Sequence, residues 1–259
     1  MRGHKGDSLF TRLVHSTPGA LILAFIFALI ADWLIKRTDL GVGPWLERFG
    51  DTFVRSDVWT GLGLTLKRFF AGYLWAVVLG TVLGVVMGRV RAFARVLSIP
   101  VNAFRAIPSA AVVPFAMAFL PLAGDEMKVF VVAYGAIWPI LLQVAQGSRD
   151  VDRLLIDSGR TLGKSNLAVF TSVVLPATLP AAMTGARVGL GIGLLLAVTA
   201  EILTPSDGGL GFMILDFERA FSYPEMCATV IVLAVVGIVL DHAFKRLEYK
   251  LVGWHHGHR

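Results

Sequence analysis

Residues 69–88 form an uninterrupted apolar run that contains no acidic or basic side chain. A helix of about 20 such residues matches the hydrocarbon thickness of a bilayer, and it satisfies its own backbone hydrogen bonds there. The remainder of the chain agrees, because charged residues make up 16% of it, against about a quarter in soluble domains. The run therefore predicts a membrane-spanning helix in an all-α membrane protein.

Five further segments are long and apolar enough to cross a bilayer, which predicts a bundle of six transmembrane helices. The predicted spans are residues 18–35, 69–88, 96–120, 127–145, 176–203 and 226–244. They divide the chain into an N-terminal segment (1–17), a membrane domain (18–246) and a tail (247–259). The third span is expected to be broken by its prolines, which are Pro100, Pro108 and Pro114.

Lysine and arginine are concentrated in alternate loops, which predicts the orientation in the membrane. The N-terminal segment, the loops after the second and fourth spans and the tail are basic, whereas the third-to-fourth and fifth-to-sixth connections contribute only Lys128 and Arg219. The loop after the first span is the exception, with Lys36, Arg37, Arg48, Arg55, Lys67 and Arg68. We expect a multi-pass protein of the bacterial cytoplasmic (inner) membrane, in contact with lipid, with both termini in the cytoplasm. Because the basic residues punctuate apolar segments and form no stripe, no nucleic-acid partner is expected.

Two rows of glycine at four-residue spacing indicate close packing between the spans. The rows are Gly80, Gly84 and Gly88 in the second span, and Gly185, Gly189 and Gly193 in the fifth. Residues four apart lie on one face of a helix, and a face of small residues lets a neighbouring backbone approach. Each row therefore predicts a helix–helix interface.

The loop of residues 146–175 differs from the spans on either side, because charged and apolar residues alternate in it. Asp150, Asp152, Arg153, Asp157, Arg160 and Lys164 are interspersed with Val151, Leu154, Leu155, Ile156 and Leu162. The pattern predicts a short amphipathic helix outside the bilayer, which Gly163 ends. Ser165 is predicted to cap a second short helix through Phe170, and Pro176 to open the fifth span. Such a pair presents an apolar face with a charged rim, as a docking surface does.

The same loop resembles a known signature. Asp157-Ser158-Gly159 is followed after three residues by Gly163 and after nine more by Val173-Val174-Leu175-Pro176. This spacing is similar to the EAA signature of the permease subunits of binding-protein-dependent ABC importers of type I. Asp157 stands where the signature has glutamate, and Ser158 and Gly159 stand where it has alanine. The resemblance implies a coupling helix that docks on a separate ATPase subunit through Asp157, Ser158, Gly159, Gly163, Lys164 and Ser165.

Other segments are similar to the nitrate/sulfonate/taurine branch of that family. They are residues 107–114, residues 209–214 after Glu201, and the ending at residues 247–254. The resemblance implies import of a small, anionic solute such as nitrate, a sulfonate, taurine or a carboxylate. It further implies a homodimer of permease copies, each with one ATPase subunit, and an extracytoplasmic binding protein that delivers the solute. ATP and Mg²⁺ would bind to the partner ATPase, and this chain would bind no cofactor.

Ionised residues within the spans are candidates for the translocation path, because a charge at membrane depth is costly unless it faces protein or water. Arg105 and Arg187 could each contact an anion. Alternatively, Arg105 could extend to the interface, and Arg187 could pair with Asp32 or Glu201 on a neighbouring helix. Glu201 lies near the outer end of the fifth span, where a gate or a loop anchor is more typical than a ligand.

The proline-broken third span is the second candidate for the path. Pro108 frees backbone carbonyl groups, which are tolerated at membrane depth where they face protein or line a water-filled cavity. Asn102 and Ser109 are predicted to lie on the same face by helical spacing. We expect these three residues to line the path together with Arg105, Arg187 and Glu201.

The sequence contains no Gly-x4-Gly-Lys-Ser/Thr phosphate loop, so ATP hydrolysis is expected from a partner and the chain is not expected to be an enzyme. No spacing of histidine and cysteine predicts a metal site, and His255, His256 and His258 lie in the tail, where no scaffold is predicted. Two alternatives stay open. A secondary transporter would favour mid-membrane carboxylates and inverted repeats, whereas the mid-span charges are read as arginines. The second alternative is an ABC importer of an uncharged vitamin precursor.

Overall fold

The computed structural model describes residues 42–120, 125–204 and 208–253 of the 259-residue chain. The predicted N-terminal segment, the first predicted span and the tail from residue 254 onward lie outside the described residues. The chain divides into two compact units, Met1–Val54 and Arg55–Arg259. Of the first unit the structure describes one helix, α1 (Val42–Val54).

The regular secondary structure of the second unit is helical in its described residues. Its helices are α2 (Ser56–Arg89), α3 (Arg91–Ala106), α4 (Val112–Phe119), α5 (Glu126–Arg149), α6 (Arg153–Thr161), α7 (Asn166–Val169), α8 (Leu175–Leu203), α9 (Leu210–Arg219) and α10 (Tyr223–Val252). Four stretches in the described part are long and apolar enough to cross a membrane, namely α2, α5, the stretch Asn166–Leu203 and α10. Counting the bent pair of α3 and Ser109–Phe119 as one span gives five.

Helix α2 starts at Ser56, well before the predicted beginning of the second span at residue 69. Lys67 and Arg68, which the sequence assigned to the preceding loop, therefore lie inside a helix. The prediction was wrong because a charge was taken as the end of the apolar run. Arg68 is fully buried within the bundle, and a charge that is paired inside the protein does not end a membrane helix.

The third predicted span is a bent pair of helices. Its two parts, α3 and Ser109–Phe119, meet at an angle of 81°. Ile107 at the break is extended, with φ −71° and ψ 124°, because the ring of Pro108 disfavours helical angles in the residue before it. Pro100 lies inside α3 without ending it. The expectation that Asn102 and Ser109 share a face by helical spacing is wrong, since the helix does not continue from one to the other.

The second short helix of the loop does not end at Phe170. Ser165 caps α7 as predicted, and its Oγ accepts the N–H of Ala168 at 3.2 Å. A π-helical turn, Phe170–Val174, then leads directly into α8, with the N–H of Leu175 bonded to the carbonyl of Phe170. This wider turn carries the chain through Pro176, which cannot donate a backbone hydrogen bond. The stretch from α7 to the end of α8 is therefore continuously helical.

The core of the second unit is formed where α2 and α8 pack closely against α5. A Cβ on Gly84 of α2 would stand 2.7 Å from the carbonyl oxygen of Leu141, and a Cβ on Gly189 of α8 would stand 2.9 Å from that of Ala136. Both carbonyls belong to α5, so the two predicted glycine rows are confirmed as packing faces on the same central helix. Helix α10 continues past the predicted end of the sixth span at residue 244.

Candidate functional site

Helix α6 is held at its beginning and at its end by hydrogen bonds that its own sequence supplies. The Asp152 carboxylate accepts the N–H of Leu154 at 2.9 Å and caps the first turn. At the other end the N–H of Gly163 bonds to the carbonyl of Arg160 at 2.9 Å, and the N–H of Lys164 bonds to that of Gly159 at 3.2 Å. This pair of bonds is the Schellman arrangement. Gly163 has φ +76°, which glycine adopts without strain, so the predicted stop is confirmed.

One face of α6 packs on the stretch that leads into α8. Val151 and Ile156 form a buried cluster with Val169 of α7 and Val174 of the π-helical turn. Gly159 lies at the crossing, where a Cβ would stand 3.2 Å from Cγ2 of Val169. The small residue at this position of the signature lets the two helices approach. The position of α6 is thus fixed relative to α8 by apolar contact as well as by the short connection.

The opposite face of α6 and its flanks carry large apolar side chains that the second unit does not cover. Leu154 is 70% exposed, Leu162 is 79% exposed and Leu167 is 72% exposed. Leu155 is also exposed. Asp157 and Arg160 lie on the exposed side as an ion pair separated by 3.8 Å. An exposed apolar patch rimmed by charges is typical of a protein–protein contact.

The predicted path residues of the third span lie around its break. Asn102 and Arg105 on α3 are exposed, as is Pro108 at the break, while Ser109 is partly buried. The end of α3 is held to α5, because the Tyr134 hydroxyl donates to the carbonyl of Phe104 at 2.6 Å. Arg105 and Pro108 therefore lie at the same bend of the chain. Arg187 and Glu201 lie elsewhere, on α8.

Arg187 pairs with Asp241 of α10, at 3.0 Å between Nε and Oδ1. The expected partners were Asp32, which lies outside the described residues, and Glu201, so the expectation of Glu201 is wrong. Asp241 also bonds to Lys245 at 2.8 Å, one turn further along α10. Asp241 falls within the predicted sixth span, so the reading of the mid-span charges as arginines was incomplete. A half-buried pair of this kind ties α8 to α10.

A second charged cluster lies at the far end of α8 from α6, and Arg68 is at its centre. The Arg68 guanidinium donates to Glu201 at 2.9 Å, to Asp125 at 2.7 Å and to the carbonyl of Gly208 at 2.7 Å. Thr65, one turn before Arg68, donates to Glu201 at 2.8 Å. Arg68 and Glu201 are both fully buried. The cluster therefore joins α2, α8 and the segment before α9.

Glu201 also fixes the segment that begins at Gly208. Its carboxylate accepts the N–H of Gly211 at 3.0 Å. Gly209 has φ +113°, and a Cβ there would stand 2.4 Å from the Glu201 carboxylate. The glycines are thus required by the close approach of backbone to a buried carboxylate. These contacts are those of a loop anchor.

Asp125 stands at the edge of the same cluster, just before α5. Burial disfavours its carboxylate, but the hydrogen bonds from Lys67 and Arg68 outweigh that effect and hold the pKa of Asp125 below its usual range. Lys67 reaches it at 2.8 Å from the exposed side. Asp125 therefore remains ionised in the folded protein at neutral pH.

Arg68, Thr65 and Asp125 were not singled out from the sequence. The signal was the four-residue period of the glycine row in α2. Continued backward from Gly80, the period passes through Ala76 and Gly72 to Arg68, and all four are buried. A charged residue in register with a row of small residues on a packing face is expected to be buried and paired.

A family model described as "Binding-protein-dependent transport system inner membrane component" matches residues 76–252. A putative ABC transporter permease of Methanocaldococcus jannaschii is 32% identical over 74% of this chain and 71% of its own length. A nitrate import permease of Synechocystis is 32% identical over 74% of this chain and 70% of its own length. A taurine transport system permease of Escherichia coli is 27% identical over 78% of this chain and 73% of its own length.

Solved structures give the same architecture. An inward-facing form of the MetNI methionine ABC transporter superposes with a TM-score of 0.63 at 21% identity, covering 74% of this chain and 95% of that chain. A second crystal form of the same transporter gives a TM-score of 0.59 at 22% identity. At this identity the likeness establishes the fold.

Proposed function

The chain belongs to the family of binding-protein-dependent transport system inner membrane components, and from that premise we propose that α6 is the coupling helix through which it is driven by a separate ATPase subunit. The observation that carries the proposal is the exposed apolar face of α6, which is capped at both ends, with Leu154 in the helix and Leu162 at its C-terminal cap both uncovered. A rigid, presented patch of this kind fits a groove on a soluble partner. ATP and Mg²⁺ belong to that partner, which performs the hydrolysis.

The packing of α6 supports a direct mechanical route into the membrane. Its buried face contacts Val169 and Val174, which lie in the stretch that continues into α8. Packed elements move as units rather than deforming continuously. A displacement of α6 by an ATPase therefore moves α8 relative to α5. Two permease copies facing one another would open or close a path between them when two ATPase subunits approach.

We place the translocation path at the break of the third span. Asn102, Arg105 and Pro108 are exposed there, and backbone freed at a proline is tolerated at membrane depth where it lines a cavity. A cationic side chain at the break favours an anionic solute. The names of two relatives, a nitrate import permease and a taurine transport system permease, point to the same solute class.

Membership of the family supports a proposal for the remaining assembly. We propose a homodimer of this chain in the bacterial cytoplasmic membrane, with α6 and both termini on the cytoplasmic side. An extracytoplasmic binding protein would deliver the solute to the opposite end, where Glu201 fixes the segment before α9. An uncharged vitamin precursor stays the alternative cargo, and uptake assays with charged and uncharged solutes separate the two.

Co-purification tests the docking role of α6. The change Leu154→Glu with Leu162→Glu places two carboxylates on the exposed apolar face. Both side chains are largely exposed, so the fold is expected to be unaffected, whereas burial of unpaired carboxylates at the contact is costly. We expect the co-expressed ATPase subunit to remain bound to the wild-type chain in mild detergent and to be lost from the double variant.

The control is Leu247→Glu, an exposed leucine on α10 beyond the predicted sixth span. It adds the same kind of charge outside α6 and is expected to retain the ATPase. Equal retention by the wild type and the α6 variant would contradict the docking role. Purification of the chain without any ATPase, together with solute movement on an ion gradient, would contradict the importer itself.

A further inference from the structure

A cavity of 380 Å³ with a basic lining lies between the ends of two membrane helices and the beginnings of two others. Arg89 is the last residue of α2 and Arg149 the last of α5, while Arg91 opens α3 and Arg153 opens α6. The other lining residues are Met87, Gly88, Ala94, Val151 and Ile156. Four arginines from four helices thus line the cavity, and among the described residues its lining includes no carboxylate.

Two of the arginines are held by backbone groups. Arg89 donates to the carbonyl of Ser148 at 3.2 Å, and Arg149 donates to the carbonyl of Met87 at 3.3 Å. These bonds cross between the ends of α2 and α5 and hold both side chains, and neither arginine has a carboxylate partner in the part of the chain that the structure describes. Arg91 and Arg153 have no carboxylate partner within the described residues. Four arginines that line one cavity, with no carboxylate paired to them in the described ranges, favour the binding of an anion with several oxygens.

The charges around this end of the molecule are sorted by sign. The adjacent cavity of 470 Å³ is lined by Asp150, Asp152 and Glu248. Asp150 and Asp152 lie between Arg149 and Arg153 in the chain, yet the acids line one cavity and the arginines the other. The nearest carboxylates in sequence therefore do not line the basic cavity.

The start of α3 adds to the attraction for an anion. Val90 precedes it in extended conformation and supplies no side-chain cap to the first N–H groups. Free N–H groups at a helix start carry a partial positive charge. Arg91 and Ala94 of this first turn line the cavity, so the helix start and the four arginines border the same volume.

An apolar strip lies on α3 beside the cavity. Phe93, Val96 and Ile99 follow one another at three-residue spacing, and all are exposed. The opposite side of α3 is packed, with Leu97 and Val101 against Met87 and Leu141. A ligand that occupies the cavity and continues along α3 would thus have an anionic head and an apolar body.

We propose that this cavity binds the phosphate headgroup of an anionic phospholipid, with its acyl chains along the exposed strip of α3. The cavity lies at the ends of α2 and α5, both of which are long and apolar enough to span the membrane, and this is the level of lipid headgroups. Basic pockets between helix ends on the cytoplasmic side are suited to such headgroups. The assignment to the cytoplasmic leaflet rests on the proposed function, whereas the lipid site itself rests on the residues of the cavity.

Native mass spectrometry of the co-expressed complex in mild detergent tests the proposal. Phosphatidylglycerol and phosphatidylcholine are titrated separately into the delipidated sample, and retained adducts are counted. The test variant is Arg91→Gln with Arg153→Gln, and the control is Arg95→Gln with Arg246→Gln, which removes the same charge outside the cavity. We expect the test variant to bind phosphatidylglycerol about 30-fold more weakly than the wild type, and the control to bind it as the wild type does.

Four outcomes overturn the lipid site. Equal retention of phosphatidylglycerol by the wild type and the test variant would show that the lipid does not bind in this cavity. Equal retention of phosphatidylcholine removes the anionic selectivity. Displacement of the lipid by millimolar inorganic phosphate assigns the cavity to a free phosphate. Loss of the ATPase from the test variant without loss of lipid assigns the arginines to a protein contact. Because adducts are counted on this chain with or without an ATPase, failure of the importer assignment is seen separately.

Discussion

Arg68 is a buried charge that connects several parts of the chain at one end of the membrane helices. Its guanidinium has hydrogen bonds to Asp125, Glu201 and the carbonyl of Gly208, which belong to three separate parts of the chain. The Arg68 side chain is 1% exposed. Taking a charge from water is costly, and removal of one partner of a buried pair leaves the other uncompensated. The cluster therefore ties its members together more strongly than a surface ion pair would.

The change Arg68→Met is expected to destabilise the protein by about 3–5 kcal/mol, because Glu201 is left buried without its cationic partner. Lys67→Met is the matched control, since Lys67 binds the same Asp125 from a position 70% exposed. That change is expected to cost less than about 1 kcal/mol. Thermal or denaturant unfolding of the purified protein in detergent measures both. Similar losses of unfolding free energy in the two variants would mean that the burial of Arg68 does not determine how much its ion pairs contribute to stability.

The sequence predicted the roles of Glu201 and Arg187 better than it predicted the residues they contact. Glu201 was expected to be a gate or loop anchor, and its contacts with Gly211 and Arg68 are those of an anchor. Arg187 was expected to be paired, but its partner Asp241 is 54 residues away in the chain. No local pattern links residues at such a distance. Their pairing depends on how α8 and α10 pack, which a single sequence does not specify.

At the scale of elements, the glycine row of α2 determines how closely that helix approaches α5. A Cβ on Gly84 would stand 2.7 Å from the carbonyl oxygen of Leu141, while a Cβ on Gly63 of the same helix would meet none of the described residues within 4 Å. Gly84→Ala therefore forces the two helices apart and is expected to cost about 1–3 kcal/mol. Gly63→Ala is expected to be neutral or to stabilise by up to about 1 kcal/mol.

Unfolding of the two glycine variants in the same detergent checks this expectation. The substitution is identical and both sites lie on α2, so differences in helix propensity cancel. Equal stability of the Gly84 and Gly63 variants would contradict the packing of the glycine row on α5.

The elements could be predicted where local chemistry decides them. The apolar run of α2, the stop at Gly163 and the Ser165 cap depend on neighbouring residues alone, and the structure has all three. The start of α2 could not be placed, because burial of Arg68 depends on distant partners. The continuation of α7 into α8 could not be predicted either, since a π-helical turn has no clear sequence pattern. Pro108 indicated a break, but the 81° angle follows from packing.

At the scale of the whole second unit, α8 connects the two ends of the molecule. The stretch Asn166–Leu203 begins beside α6. Its last turn contains Glu201, which fixes the segment before α9. Along its length it packs on α5 through its own glycine row and pairs with α10 through Arg187. Under the proposed coupling, a movement imposed at α6 would be transmitted to the opposite end by one continuous helical stretch. This arrangement suits a subunit that is driven from one side and receives solute on the other.

Site-directed cross-linking of α6 to the ATPase subunit tests the central claim most directly. The single cysteine, Cys227, is replaced by serine, and a photoreactive label is attached to Leu162→Cys or, as a control, to Leu74→Cys in the middle of α2. Both leucines are exposed. The account predicts a cross-link to the co-purified ATPase from position 162 and none from position 74. An ATPase that co-purifies but does not cross-link from position 162 would show that α6 is not the coupling helix.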